Sequence, residues 1–114
     1  MTKLHVHVGS PEDMGRRFVD AFKRGRAGQD VNERHVTFLS LQAMMAALTP
    51  KRLELLRHLR REPAGSIKAL ATALGRDYKR VHEDVTLLEN TGLLTRQEGR
   101  LSAPWDALAA EVAL

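Results

Sequence analysis

The sequence contains no cysteine, few aromatic residues and no long apolar run. The absence of cysteine excludes disulfides, zinc sites built on thiolates and cysteine nucleophiles. No apolar run exceeds six residues, whereas a membrane-spanning helix needs about 20. The first residues, MTKLHVHVGS, alternate in polarity and lack the apolar stretch of a signal peptide. We therefore expect a cytoplasmic protein that makes no contact with a membrane.

Positive charge is concentrated in one part of the chain. The 114 residues carry a formal net charge of +4. Residues 51–82 contain nine Lys or Arg and only three acidic residues, whereas residues 83–114 contain two arginines and six acidic residues. An uneven distribution of this kind is typical of a surface that faces a polyanion such as nucleic acid.

Residues 1–48 are predicted to form a small strand-helix-strand unit and a linker helix that Ser40 caps. KLHVHV alternates with a period of two, as a half-buried strand does, and RHVTFLS predicts a second strand. Between them, Ser10 and Pro11 mark the start of a helix that reaches about Arg24. Two strands are only marginally stable, so we expect the rest of the chain or a second copy to complete the sheet. This unit is therefore a candidate dimerisation unit of a homodimer.

Residues 49–114 are predicted to begin with two helices. Thr49 and Pro50 provide an N-cap and a first-position proline, and four leucines then repeat at helical spacing. EPAGS interrupts this pattern, after which Ser66 caps a second helix. Gly75 stands where a left-handed residue would end that helix.

A third helix and a hairpin complete the predicted domain. Asp77 is placed to cap the third helix, which Gly92 ends, and Glu98-Gly99 is a hairpin-turn signal between two short strands. Pro104 then leads into a predicted short C-terminal helix. Helix, helix, turn, helix and hairpin are the parts of a winged helix-turn-helix. The expected fold is α+β, with the winged domain at residues 49–114.

The spacing within the two turn-linked helices agrees with that fold. Counted from Ile67, a small residue stands fifth (Ala71), a glycine ninth (Gly75) and a branched apolar residue fifteenth (Val81). A small residue lets the two helices cross closely, and a glycine permits the positive φ of the turn. The three requirements are met together.

The stretch LTPKRLELLRHL…SIKALATALGRDYKRVHEDVTLLENTGLL resembles the MarR-like winged-helix predicted transcriptional regulators of prokaryotes. LGRDYKRVHEDVTLLENTGLL is similar to a subgroup of small predicted DNA-binding proteins, some of which are thought to act as antitoxin-type regulators. The resemblance covers residues 48–105 and implies a winged helix and DNA binding. The N-terminal unit departs from the long terminal helices through which MarR proteins dimerise, so their sensing of phenolic ligands is not carried over.

The expected function is sequence-specific binding of double-stranded DNA by a transcriptional repressor. A helical wheel through the buried stripe of the third helix places Lys79, His82, Glu83 and Thr86 on the outer side, where they would face a major groove. Tyr78 and Arg80 flank this face. Arg76 and Lys68 are assigned to the DNA backbone, and the hairpin residues Arg96 and Arg100 to the backbone or a minor groove.

Other functions are consistent with parts of the sequence. The basic helix could be an ordinary solvated surface, or the domain could dock on a protein, for instance as an antitoxin that masks a toxin. RNA binding is disfavoured because only Tyr78 among five aromatic residues lies near the basic face. His5 and His7 share a strand face, but no further ligand completes a metal site, so we interpret them as solvent-facing. No cofactor and no enzymatic activity are expected.

Overall fold

Two small sheets and four helices make up the part of the chain that the computed structural model describes, which is residues 2–9 and 34–112. The helix predicted to begin at Ser10 lies outside these residues. The described residues combine helices and strands, as an α+β protein does. The first sheet joins both ends of the sequence, and the helices lie between the strands along the chain.

The first sheet contains three parallel strands. They are β1 (Lys3–Val8), β2 (Arg34–Phe38) and β5 (Ala107–Val112), in the order β2-β1-β5. Val6 of the central strand lies opposite Val36 on one side and Ala110 on the other. Leu4 and Val6 are fully buried, as the alternation in KLHVHV predicts, because every second side chain of a strand points to the same face.

The prediction of a C-terminal helix after Pro104 is wrong. Residues Ala107–Val112 instead form β5, which pairs with β1 along six residues. The local sequence ALAAEV favours a helix because alanine is the best helix former. The open side of β1 offers backbone hydrogen bonds and an apolar neighbour for Leu108, and this tertiary context overrides the local preference. The rest of the chain thus completes the N-terminal sheet, one of the two outcomes expected.

The helices begin at the predicted residues. They are α1 (Leu41–Ala47), α2 (Pro50–Arg61), α3 (Ile67–Leu74) and α4 (Tyr78–Thr91). At each start, a side-chain oxygen accepts a hydrogen bond from a backbone N–H of the first turn, which would otherwise lack a partner. The four capping residues are Ser40, Thr49, Ser66 and Asp77.

The turn between α3 and α4 depends on Gly75. Its φ of 64° and ψ of 35° are left-handed, and its backbone N–H bonds to carbonyls of the last turn of α3. Ala71 is buried, as expected for a small residue at a helix crossing. Val81, Val85 and Leu88 of α4 are completely buried, so the predicted inward stripe of α4 is confirmed.

A two-stranded antiparallel hairpin follows α4. It consists of β3 (Thr95–Gln97) and β4 (Arg100–Ser102). Glu98 and Gly99 form the turn, with φ values of 52° and 78°, as the Glu-Gly pair predicts. Ala64, in the segment between α2 and α3, exchanges two backbone hydrogen bonds with Leu101 of 2.9 and 2.7 Å. This bridge attaches the hairpin to the helices.

One continuous apolar core connects the sheet, the helices and the hairpin. It contains Leu4 of the sheet, Leu55 of α2, Leu70 of α3 and Leu101 of the hairpin. Trp105 is buried, and its indole N–H donates to the carbonyl of Leu93 over 3.2 Å. Trp105 therefore packs as a plug against the helical part of the chain.

We predict that Gly75→Ala lowers the free energy of unfolding by about 1 to 2 kcal/mol, because an L-residue is strained at a positive φ even where space is open. Gly65→Ala is the matched control, since a Cβ there also meets nothing within 4 Å and its φ is not positive. Urea denaturation of both variants measures the difference. Equal stability of the two variants would contradict the role assigned to the left-handed turn.

Candidate nucleic-acid interface

The outer face of α4 is open to solvent along most of its length. Lys79, His82, Glu83 and Thr86 are all exposed, on the side opposite the buried stripe. The structure thus brings together the four side chains that the sequence predicts on one face. A shallow depression of about 510 Å³ is bordered by three of them, His82, Glu83 and Thr86, and by Leu87, Asn90 and Thr91.

The polar groups of this face differ in what they can offer a ligand. The Thr86 hydroxyl donates to the carbonyl of His82 over 2.9 Å, so the methyl group of Thr86 remains for contact. The ring of Tyr78, which is 52% exposed, lies 5.9 Å from the ring of His82, centroid to centroid. Among the described contacts, Lys79 has no acidic partner within salt-bridge distance.

Asp84 lies on the inner side of α4 and binds two arginines. Its Oδ1 accepts from Arg52 Nε over 2.9 Å, and its Oδ2 accepts from Arg76 Nη2 over 2.8 Å. The three side chains are only 12% to 19% exposed. Since charged hydrogen bonds are stronger away from water, this cluster fixes α4 against α2 and against the turn that precedes α4.

Arg52 extends the cluster to a further helix. Its Nη1 donates to the carbonyls of Ala46 and Ala47 over 2.7 and 3.4 Å. These carbonyls belong to the last turn of α1, where no helical partner remains for them. One side chain thus connects α1, α2 and α4.

Arg76, for which a phosphate contact is predicted, turns most of its guanidinium inward. Its side chain turns inward to Asp84, and its Nη1 is buried without a hydrogen-bond partner in the described part of the chain. The sequence prediction places Arg76 at the right turn. The sequence does not show that its guanidinium pairs with Asp84, eight residues later. Its position indicates a structural role.

A basic cavity lies where α2 and α4 begin. Its volume is about 580 Å³, and Lys51, Arg76, Asp77 and Arg80 line it. Lys51 and Arg80 are exposed, and Lys51 is only loosely paired with Glu54, at 3.7 Å. The positive ends of two helix dipoles add to these charges. The cavity therefore favours an anion.

The hairpin arginines and Lys68 have different environments. Arg96 forms a two-point ion pair with Glu89 of α4, with N–O distances of 3.0 and 3.3 Å. This pair holds the hairpin against α4 and partly neutralises Arg96. Arg100 and Lys68 are exposed, and neither forms an ion pair within the described residues. Of the two hairpin arginines, Arg100 is the more available to an anion.

The histidines of the first sheet are not a solvent-facing pair. His7 is 9% exposed, and its Nε2 lies 2.8 Å from Nδ1 of His35 on the neighbouring strand. The rings of His5, His7 and His35 stack with centroids 5.0 to 6.4 Å apart. The interpretation of His7 as exposed is therefore wrong, because β2 brings a third ring onto the same face. Residues 2–9 and 34–112 contain no His, Asp or Glu group arranged to hold a metal ion.

Sequence reasoning missed Asp84, Arg52 and Lys51. Asp84 carries a weak signal: it is an acidic residue on the apolar side of the helix wheel, between Val81 and Val85. Such a residue needs a buried cationic partner. Lys51 follows the first-position proline of α2, so the sequence places it at the positive end of a helix. No local pattern shows that the start of α4 lies nearby.

Described as a class, this is an α+β protein in which a helix with an exposed outer face follows a tight helix-helix turn. A family model matches residues 47–110, and the chain belongs to that family, HVO_A0114. The matched range runs from the end of α1 into β5 and leaves out β1 and β2. No curated protein and no solved structure matches the chain. In the described ranges, no helix combines the length and apolarity that crossing a membrane would need.

We predict that Asp84→Ala lowers the free energy of unfolding by about 3 kcal/mol, because it leaves two partly buried guanidinium groups facing each other without a carboxylate. Glu83→Ala, which removes the neighbouring but exposed carboxylate, should change it by about 0.5 kcal/mol or less. Chemical denaturation followed by circular dichroism measures both. If the two variants are equally stable, the Asp84 cluster does not fix α4.

Proposed function

We propose that this protein binds double-stranded DNA as a transcriptional repressor, with α4 in the major groove. The observation that carries the proposal is the exposed face of α4, on which Lys79, His82 and Thr86 stand free of covering protein. A helix fits the width of the major groove, and its side chains then reach the base edges. The MarR-like resemblance of residues 48–105 supports the same function.

In this proposal, α2, α3, α4 and the hairpin form a winged helix-turn-helix. The left-handed Gly75 sets the turn between α3 and α4, and the Ala64–Leu101 bridge attaches the hairpin as the wing. The ion pair between Arg96 and Glu89 then holds the wing beside the reading helix. Arg100 is the wing residue that reaches the DNA backbone or a minor groove.

Base recognition is assigned to the middle of the exposed face. Lys79 donates to guanine O6 or N7, and the methyl group of Thr86 contacts a thymine methyl, since its hydroxyl is bonded to the helix. Glu83 repels phosphate but accepts from cytosine N4, so it restricts the sequences that bind. His82 contributes a donor or an acceptor, depending on its tautomer.

The basic cavity at the start of α4 is assigned to the DNA backbone. A phosphate there would meet Lys51 and Arg80, which are exposed, and the amino ends of two helices. Arg76 takes no direct part in this contact and instead positions α4 through Asp84. Lys68, on the outer side of α3, is a further backbone contact. The proposal includes no catalytic step and no cofactor.

We expect Lys51→Ala and Arg80→Ala each to reduce the salt dependence of DNA binding by about one unit in the slope of log K against log salt, because each removes one phosphate contact. Fluorescence anisotropy with a mixed-sequence duplex, between about 50 and 200 mM KCl, gives this slope. Arg61→Ala is the charge-matched control. Arg61 lies ten residues beyond Lys51 on α2, about 15 Å along the helix axis.

Lys79→Ala tests the reading face separately. We expect it to weaken binding to duplexes selected from a random pool by about tenfold and to leave the melting temperature unchanged, because Lys79 makes no contact that stabilises the fold. Normal binding by the Lys79, Lys51 and Arg80 variants would remove α4 as the DNA-contacting helix. A loss of slope in the Arg61 variant alone would place the DNA on another surface.

A further inference from the structure

We propose that two copies of this protein pair along β5, so that the two three-stranded sheets join into one sheet of six strands. In the described residues, β5 pairs only with β1, and its other edge has no strand beside it. Three residues of β5 are exposed, namely Ala110, Glu111 and Val112. The inference is independent of the DNA-binding proposal, since it uses β5 and not α4 or the hairpin.

The β5 edge has few of the features that usually prevent strand pairing, since Glu111 is its single charged residue. Natural edge strands carry lysine, proline or a bulge, or are very short. β5 is six residues long, pairs with β1 without a bulge, and contains neither lysine nor proline. Its three alanines place little side-chain bulk beside the edge. An open edge of this kind is a template for another strand.

The occupant is a second copy because the two edges complement each other in charge. A twofold axis at Ala109 makes the pairing antiparallel and places Glu111 of one copy opposite Ala107 of the other. Lys3 is the β1 neighbour of that Ala107. Glu111 and Lys3 then lie on the same face, two strands and about 10 Å apart at the backbone, within reach of the two long side chains. The symmetry creates this pair twice.

The same register brings Val112 near a groove beside β5. The groove has a volume of about 420 Å³ and lies between α2 and β5, and its lining combines apolar residues such as Leu56 and Trp105 with the charged Arg57, Arg60 and Asp106. Val112 is 41% exposed and shares the Leu108 face of the strand. The Ala109 axis places it opposite Asp106 of the other copy, at the Trp105 end of the groove.

The expected complex is a dimer of modest affinity. A strand pair in which residues 107–111 of each copy face each other buries less than the area of about 1,200 Å² that is typical of stable interfaces. We therefore expect dissociation on the order of micromolar. Sedimentation velocity between about 1 and 100 µM should show the wild-type protein passing from monomer to dimer. A monomer over this entire range would overturn the proposal.

A charge exchange tests the register. Glu111→Lys and Lys3→Glu should each raise the dissociation constant about tenfold, because each places like charges together at both ends of the interface. The double variant Lys3→Glu/Glu111→Lys should restore wild-type association. Circular dichroism confirms that all three variants are folded. A double variant that associates as weakly as the single variants would contradict the pairing of these residues.

A cross-linking experiment tests the position of the axis, since the natural protein has no cysteine. Ala109→Cys places two thiols opposite each other across the axis, and mild oxidation should convert most of the protein to a covalent dimer. Gln97→Cys, on the exposed hairpin, is the matched control and should remain monomeric under denaturing conditions. The proposed interface would be overturned if both variants cross-linked to the same extent or if neither cross-linked. DNA binding need not be measured in any of these experiments.

Discussion

Asp84 and its two arginines fix α4 to its neighbours in the orientation that exposes the candidate interface. A carboxylate on the buried side of a helix is costly unless it is paired, and Arg52 and Arg76 supply charged hydrogen bonds to both of its oxygens. Because Arg52 also binds the end of α1, the cluster ties three helices together. With Asp84 turned inward, Lys79, His82 and Thr86 must face outward.

The cluster also separates structural charge from available charge. Arg52 and Arg76 are largely buried and share the single carboxylate of Asp84, and Arg96 is paired with Glu89. Lys51, Lys79, Arg80 and Arg100 remain exposed. The basic segment seen in the sequence therefore divides into cations that hold the fold and cations that can meet an anion.

The C-terminal strand, β5, connects the N-terminal strands to the rest of the chain. Its pairing with β1 brings the N-terminal strands and the helices into one core, with Trp105 packed between them. Nearby, the Arg60 side chain and the backbone N–H of Thr2 donate to Asp106, and these contacts hold the pKa of Asp106 below its usual value. The proposed dimer would extend this sheet, so the DNA-facing and self-associating surfaces would lie on different elements.

The sequence by itself determined the elements whose causes are local. Capping oxygens at Ser40, Thr49, Ser66 and Asp77, the left-handed Gly75 and the Glu98-Gly99 turn each act within a few residues, and their positions could be read directly. The outward set on α4 followed from helical periodicity alone. Tertiary structure decided the rest. Alanine-rich β5 became a strand because β1 lay beside it, His7 was buried by a ring from β2, and Arg76 turned inward to a carboxylate on the next helix. Each of these outcomes depends on groups that are distant along the chain or on a neighbouring element, and no local pattern in the sequence encodes their distance in space.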